Sequence, residues 1–223
     1  MAKPVKRKYD STRRRAQAAE TRHQVIEASR PLFINQGYVA TSMRQVSEAA
    51  SVSLQTLYNL FESKFGLFSA LMDVIVAGDH EPVALADRTQ FRALATIDSP
   101  EEYLGALVAA AVPILMRLDV IYPTLRAAAV SDPEVGAAYR RFVLDARRAG
   151  YVEAADRLHS LEGLRHGLDP AKAADIMWTI VGPDTYHLLV GERDWAVGDF
   201  ESWAVDTLGR TLLAPTPVQR SSR

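Results

Sequence analysis

The chain has 223 residues, 48% of them apolar and 24% charged, and no cysteine. Its net charge of −1 hides an asymmetry: residues 1–64 hold eleven Lys/Arg against five Asp/Glu, while the rest of the chain is acidic. This length supports one large or two small domains with a real core, and the missing cysteine excludes disulfides, thiolate metal sites and cysteine nucleophiles. The opening MAKPVKRKYDSTRRRAQ has no apolar centre of a secretory signal. The longest apolar run, Leu104 to Met116, is 13 residues with Pro113 inside it, too short for a bilayer core of ~30 Å. A soluble, cytoplasmic protein without membrane partners is expected. Seven of the basic residues fall in residues 1–15, against Asp10 alone. A basic arm on an acidic body suits a polyanionic partner.

Helical periodicity then dominates. After the arm (1–15), expected to be disordered, Val25, Ala28, Ser29, Leu32 and Phe33 mark one helix face. Gly37 is expected to close this helix as a left-handed cap, and Pro31 within it to introduce a kink. Ser42 with Gln45 three residues later predicts a capping box opening a second helix, its inner face Val46, Ala49 and Ala50. Ser53 predicts the N-cap of a third helix, and Ser63 that of a fourth with Leu67, Phe68, Leu71, Met72 and Ile75 on one side. Beyond Gly78 the pattern loosens. Helices are predicted near 101–118 and 122–130, then from Pro133 to about Ser160. Another is predicted from Pro170 to about Leu189, bent by Pro183, and a last one over about 200–213 before a disordered tail (214–223). No stretch reads as a strand.

Residues 42–61 thus form two short helices around a tight turn, as a helix-turn-helix requires. The pieces LFINQGYVATSMRQVSEAASVS and TLYNLFESK resemble, in order and spacing, the N-terminal DNA-binding domain of TetR-family transcriptional regulators. The later pieces RAGYVEAADRL, GLDP and WAVDTLGRTLL are similar to the ends of many members. The resemblance implies an all-α protein. A three-helix DNA-binding domain (16–65) would be followed by a ligand-binding and dimerisation domain (66–213). It also implies a homodimer on a palindromic double-stranded operator, acting as a repressor released by a small organic effector. DNA binding without small-molecule control stays open, as does a helical ligand-binding module or enzyme lacking operator affinity.

Three positions depart from the family pattern. Ser51 replaces the usual turn glycine, Leu54 stands where a Lys or polar residue follows the capping serine, and Pro31 lies inside the first helix.

The candidate DNA contacts follow from residue chemistry and the resemblance. Gln55 and Asn59 carry amides able to pair with adenine, and Thr56 has a methyl suited to thymine. Tyr58 and Lys64 match positions that touch phosphates in the family, Lys64 at a helix N-terminus. Ser42, Arg44 and Ser53 lie where backbone contact is possible, and Arg13, Arg14 and Arg15 are candidates for phosphate or the minor groove. Tyr103, Tyr122, Arg126, Trp178, Tyr186 and His187 are the candidate effector contacts. The five histidines show no metal-ligand spacing, and the run Asp79-His80-Glu81 cannot converge on one ion. No cofactor and no metal is expected, and no enzyme signature is found.

Overall fold

The computed structural model describes residues 9–215. Among these the regular structure is helical, and the one extended pairing is an isolated bridge between Leu164 and Leu213. The all-α expectation holds. Two compact units divide between Ile75 and Val76, ten residues later than the expected boundary at 65/66.

In the first unit, α1 (Tyr9–Ala40) begins earlier than predicted. Residues 9–15 are helical, so this half of the expected arm is ordered; residues 1–8 lie outside the described residues. Pro31 keeps helical dihedrals, and the break comes instead at Gly37 (φ 79°, ψ 169°). Its φ is positive as a cap requires, but its ψ is extended, a region essentially open to glycine alone. Thr41, buried, then ties the end of α1 together: its hydroxyl donates to the carbonyls of Leu32 (3.1 Å) and Gly37 (2.8 Å). Next come α2 (Met43–Ala49), α3 (Leu54–Phe61) and α4 (Lys64–Ala77). Val25, Ile26, Phe33, Val46, Leu57, Leu67, Phe68 and Leu71 are buried. Phe33, Tyr38 and Phe68 pack ring on ring with centroids 5.0–6.0 Å apart. Of the expected inner face of α2, Val46 and Ala50 are buried, but Ala49 is exposed.

The second unit opens with turns and the short α5 (Thr89–Arg92), fastened by a two-pronged ion pair from Arg88 to Asp79 (2.5 and 2.9 Å). Then follow α6 (Pro100–Asp119), α7 (Tyr122–Ser131) and α8 (Pro133–Ala138). A π-helical stretch, Tyr139–Ala146, leads straight into α9 (Arg147–Ser160), so the predicted long helix from Pro133 is continuous. The predicted helix from Pro170 is not. It stops as α10 (Pro170–Ile180), and Pro183 opens α11 (Pro183–Tyr186), which continues as π-helix through Gly191. Proline's fixed φ suits a first turn better than an interior, and its predecessor Gly182 is extended (φ −99°, ψ 154°). The last helix, α12 (Val197–Leu212), starts three residues early. Helices α9 and α10 pack together, as do α6 and α12, around Leu104, Val108, Leu158, Met177, Phe200, Ala204 and Leu208. No single helix among the described residues is long and apolar enough to cross a membrane. Of the expected tail, residues 216–223 lie outside the described residues.

Candidate nucleic-acid interface

The starts of α2 and α3 are closed by their own side chains, and the turn between the two helices by backbone bonds. Ser42 and Gln45 form the reciprocal capping box, with Ser42 N–H donating to Gln45 Oε1 at 2.8 Å. At the other end Ala50 caps α2, and Ser51 follows with φ 54°. Ser51 N–H reaches the Glu48 carbonyl (3.1 Å) and Val52 N–H the Ser47 carbonyl (3.0 Å). This pair of bonds is a Schellman turn with serine in the left-handed place that glycine normally fills. Ser53 then caps α3 by accepting from Thr56 N–H at 3.0 Å.

Helix α3 is amphipathic. Leu57 and Phe61 are buried; Leu54, Gln55, Tyr58 and Asn59 are exposed. Gln55 Nε2 donates to Asn59 Oδ1 across one turn at 2.9 Å. Thr56 is half-buried, and its hydroxyl is engaged with Ser53 Oγ at 2.7 Å. It lies in a shallow groove with Arg14, Gln17, Ala18, Thr21 and Leu60, so the N-terminal part of α1 runs beside α3. Ser42 and Arg44 are exposed at the start of α2, and Arg13, Arg14 and Arg15 are exposed on α1.

Side chains outside the predicted set position α3. Arg22 donates from α1 to the Leu60 carbonyl (3.0 Å), with its guanidinium 4.5 Å from the centre of the Phe61 ring. Gln24 Nε2 donates to the Ala50 carbonyl in the turn (3.0 Å). Arg22 falls in phase with Val25, Ser29 and Phe33 on the buried stripe, a charged residue where an apolar one is expected; that was the available signal. Gly66 was also missed. A Cβ there would stand 2.1 Å from the Phe61 carbonyl oxygen, so the tight α3–α4 corner needs glycine. Lys64, expected at a phosphate, has carbonyl partners within its own unit. Its ammonium donates to the Tyr38 carbonyl (3.0 Å) and approaches that of Val39 (3.4 Å), 4.3 Å from the centre of the Tyr38 ring. A cation is favoured at such a carbonyl end.

In the second unit three of the six expected effector residues come together. The Tyr122 hydroxyl is 3.2 Å from that of Tyr139, Arg126 pairs with Asp184, and His187 Nδ1 is 2.7 Å from Asp119 Oδ1. The Tyr122 and His187 rings meet edge to face at 6.1 Å. Burial, then the hydrogen bonds to Tyr139 and Asp184, hold the Tyr122 phenol far above its ordinary range. Tyr139 and His187 both sit on the π-helical stretches, which often mark functional positions. Gly191 lets His187 and Asp119 approach, since a Cβ there would stand 2.8 Å from Nδ1. The other three residues have other main packing partners. Tyr103 is buried in the core, and Tyr186 packs on Phe200 at 4.9 Å. Trp178 donates to the Leu144 carbonyl and lies under Arg147, whose guanidinium is 4.7 Å from its ring. Burial lowers the Arg147 pKa and pushes the neighbouring Tyr151 up to about 12. Asp119, Tyr139 and Asp184 carried no signal in the sequence, because only tertiary packing brings them to Tyr122 and His187.

Residues 25–71 match the family model for bacterial regulatory proteins of the tetR family. No curated protein matches the chain. Among solved structures, NalD of Pseudomonas aeruginosa, the secondary repressor of the MexAB-OprM multidrug efflux pump, is 19% identical. It is covered 100%, covers 89% of this chain and superposes with a TM-score of 0.67. A transcriptional regulator from Saccharomonospora viridis in complex with choline is 18% identical, with 87% of this chain and 98% of that one covered and a TM-score of 0.67. A SmeT–triclosan complex is 15% identical, with 88% and 93% covered and a TM-score of 0.64. Residues 25–71 are thus a tetR-family N-terminal domain, and the chain has the fold of TetR-family transcriptional regulators.

Proposed function

We propose that this protein is a sequence-specific DNA-binding transcriptional regulator, a homodimeric repressor that a small organic effector releases from a palindromic operator. The observation that carries this reading is α3. It is capped at its start, buried through Leu57 and Phe61, held from α1 by Arg22 and Gln24, and open on its Gln55–Tyr58–Asn59 side. A rigid short helix with a polar outer face is suited to the major groove. Gln55 and Asn59 face base edges; Tyr58, Arg44 and Ser42 serve the sugar-phosphate backbone; Arg13, Arg14 and Arg15 add attraction from the adjoining stretch of α1. Ser53 and Thr56 act chiefly by holding the helix start, and Lys64 by holding the end of α1.

The effector half of the proposal draws on the Tyr122–Arg126–Asp184–His187 cluster and on similar folds seen with choline and with triclosan. An effector releases DNA only if it binds the non-operator conformation more tightly. The deciding experiment is selection of bound duplexes from random DNA by the full chain. A recovered inverted repeat, bound more weakly when a stabilising organic compound is added, is the expected result. If no consensus emerges, DNA-directed regulation is refuted. A consensus whose affinity no stabilising compound alters leaves a DNA-binding regulator without small-molecule control.

A further inference from the structure

The exposed face of α3 points to a particular kind of base pair. Four side chains form it: Leu54, Gln55, Tyr58 and Asn59, at the spacing of one helical face. Thr56 is withdrawn from it, since its hydroxyl is bound to Ser53 and the residue is half-buried. The two amides are joined, Gln55 Nε2 donating to Asn59 Oδ1 at 2.9 Å. Joined amides do not turn independently. Gln55 keeps Oε1 as an acceptor beside its second N–H, and Asn59 keeps both of its N–H groups. Adenine answers such an edge on one base, with the N6 amino group as donor and N7 as acceptor. Guanine sets two acceptors, O6 and N7, against the Gln55 carbonyl. Leu54 adds an independent observation. It is the first residue of α3, next to Gln55, and 37% exposed although wholly apolar. The one apolar group on the major-groove edge of DNA is the thymine C5-methyl.

We propose that this face is a reader of A·T pairs: the coupled Gln55–Asn59 amides take an adenine, and Leu54 packs on the methyl of a neighbouring thymine. The inference rests on the DNA-binding reading above and adds the base class. Because all three side chains are exposed, their variants are expected to fold.

The test uses the full chain and the duplex consensus recovered from random DNA. Gln55→Ala and Asn59→Ala should each relax preference at the same A·T pair, by tenfold or more, and the double variant should add little to either. Replacing the thymine beside that pair with deoxyuridine removes only the methyl. Wild type should then weaken about fourfold, the worth of one buried methyl-sized group. Leu54→Ala should weaken binding to thymine DNA to a similar degree and be indifferent to deoxyuridine. Any of three results overturns the inference while leaving a DNA-binding regulator in place. These are a half-site with G·C where Gln55→Ala acts, amide variants that relax two separated base pairs, and a wild type indifferent to every deoxyuridine substitution. Recovery of no consensus at all overturns both the inference and the regulator reading.

Discussion

Ser51 holds the turn between α2 and α3 in a conformation that L-residues enter at a cost. Its φ of 54° and the two closing bonds to Glu48 and Ser47 carbonyls define a glycine place occupied by serine. A left-handed non-glycine residue costs about 1–2 kcal/mol, of which glycine's greater freedom in the unfolded chain returns part. Ser51→Gly is therefore expected to stabilise the protein by about 1 kcal/mol, read as a rise in Tm, with DNA preference unchanged. A fall in Tm would show that the serine side chain makes a contact worth more than the strain. Lys64 teaches a different lesson at this scale. Its residue type and position match a phosphate contact, and its ammonium also reaches the carbonyls at the end of α1. A lysine's reach is long enough that its partner is decided by what lies within several ångströms in space, and the sequence does not contain that information.

At the scale of elements, α1 changes the expected role of the basic arm. Arg13, Arg14 and Arg15 stand on a helix, successive side chains about 100° apart. At most two of the three can face a duplex lying along one side of α1. Two per protomer make four in a dimer, and each neutralised phosphate contributes about −0.9 to the slope of log affinity against log salt. Replacing all three with glutamine, itself a good helix former, should flatten the dimer's slope by roughly 3–4 units. The loss should be alike on consensus and random DNA. Equal slopes for wild type and variant would show that these arginines are only solvated. The Ser42–Gln45 capping box, the Ser53 N-cap and the α2–α3 turn were legible in the sequence because caps are local: Ser42 with Gln45, and Ser53 with Thr56, lie three residues apart. The α10–α11 break was misjudged, because a proline after an extended residue starts a helix as readily as it bends one.

At the scale of the whole molecule, the proposal requires two copies. Two α3 helices must enter successive major grooves about 34–36 Å apart to read a palindrome. Helices α10 and α12 are the expected mutual surface, with Trp203, Val205, Ile176 and Ile180 left half-buried in the single chain. Sedimentation at micromolar concentration should give about twice the 24.6 kDa chain mass. A monomer would leave no means of reading an inverted repeat. Replacing Trp203 with glutamate should shift the sedimenting species toward monomer and abolish cooperative operator binding. A dimer that survives this change moves the interface off α12.

The sequence by itself determined the helical class, the buried stripes of α1, α3 and α4, the caps of α2 and α3, and the polar face of α3. All of these are set by neighbours within about one helical turn, where periodicity and capping chemistry act. Tertiary structure alone decided which side chains cross from one helix to another. It placed Arg22 on the Leu60 carbonyl, Gln24 on Ala50 and Lys64 on Tyr38, each joining residues more than twenty positions apart. It also assembled Asp119, Tyr122, Tyr139, Asp184 and His187 from four separate elements and packed Tyr103, Trp178 and Tyr186 chiefly against other residues. Such contacts depend on how helices are packed, and buried polar groups then take whichever partner the packing supplies.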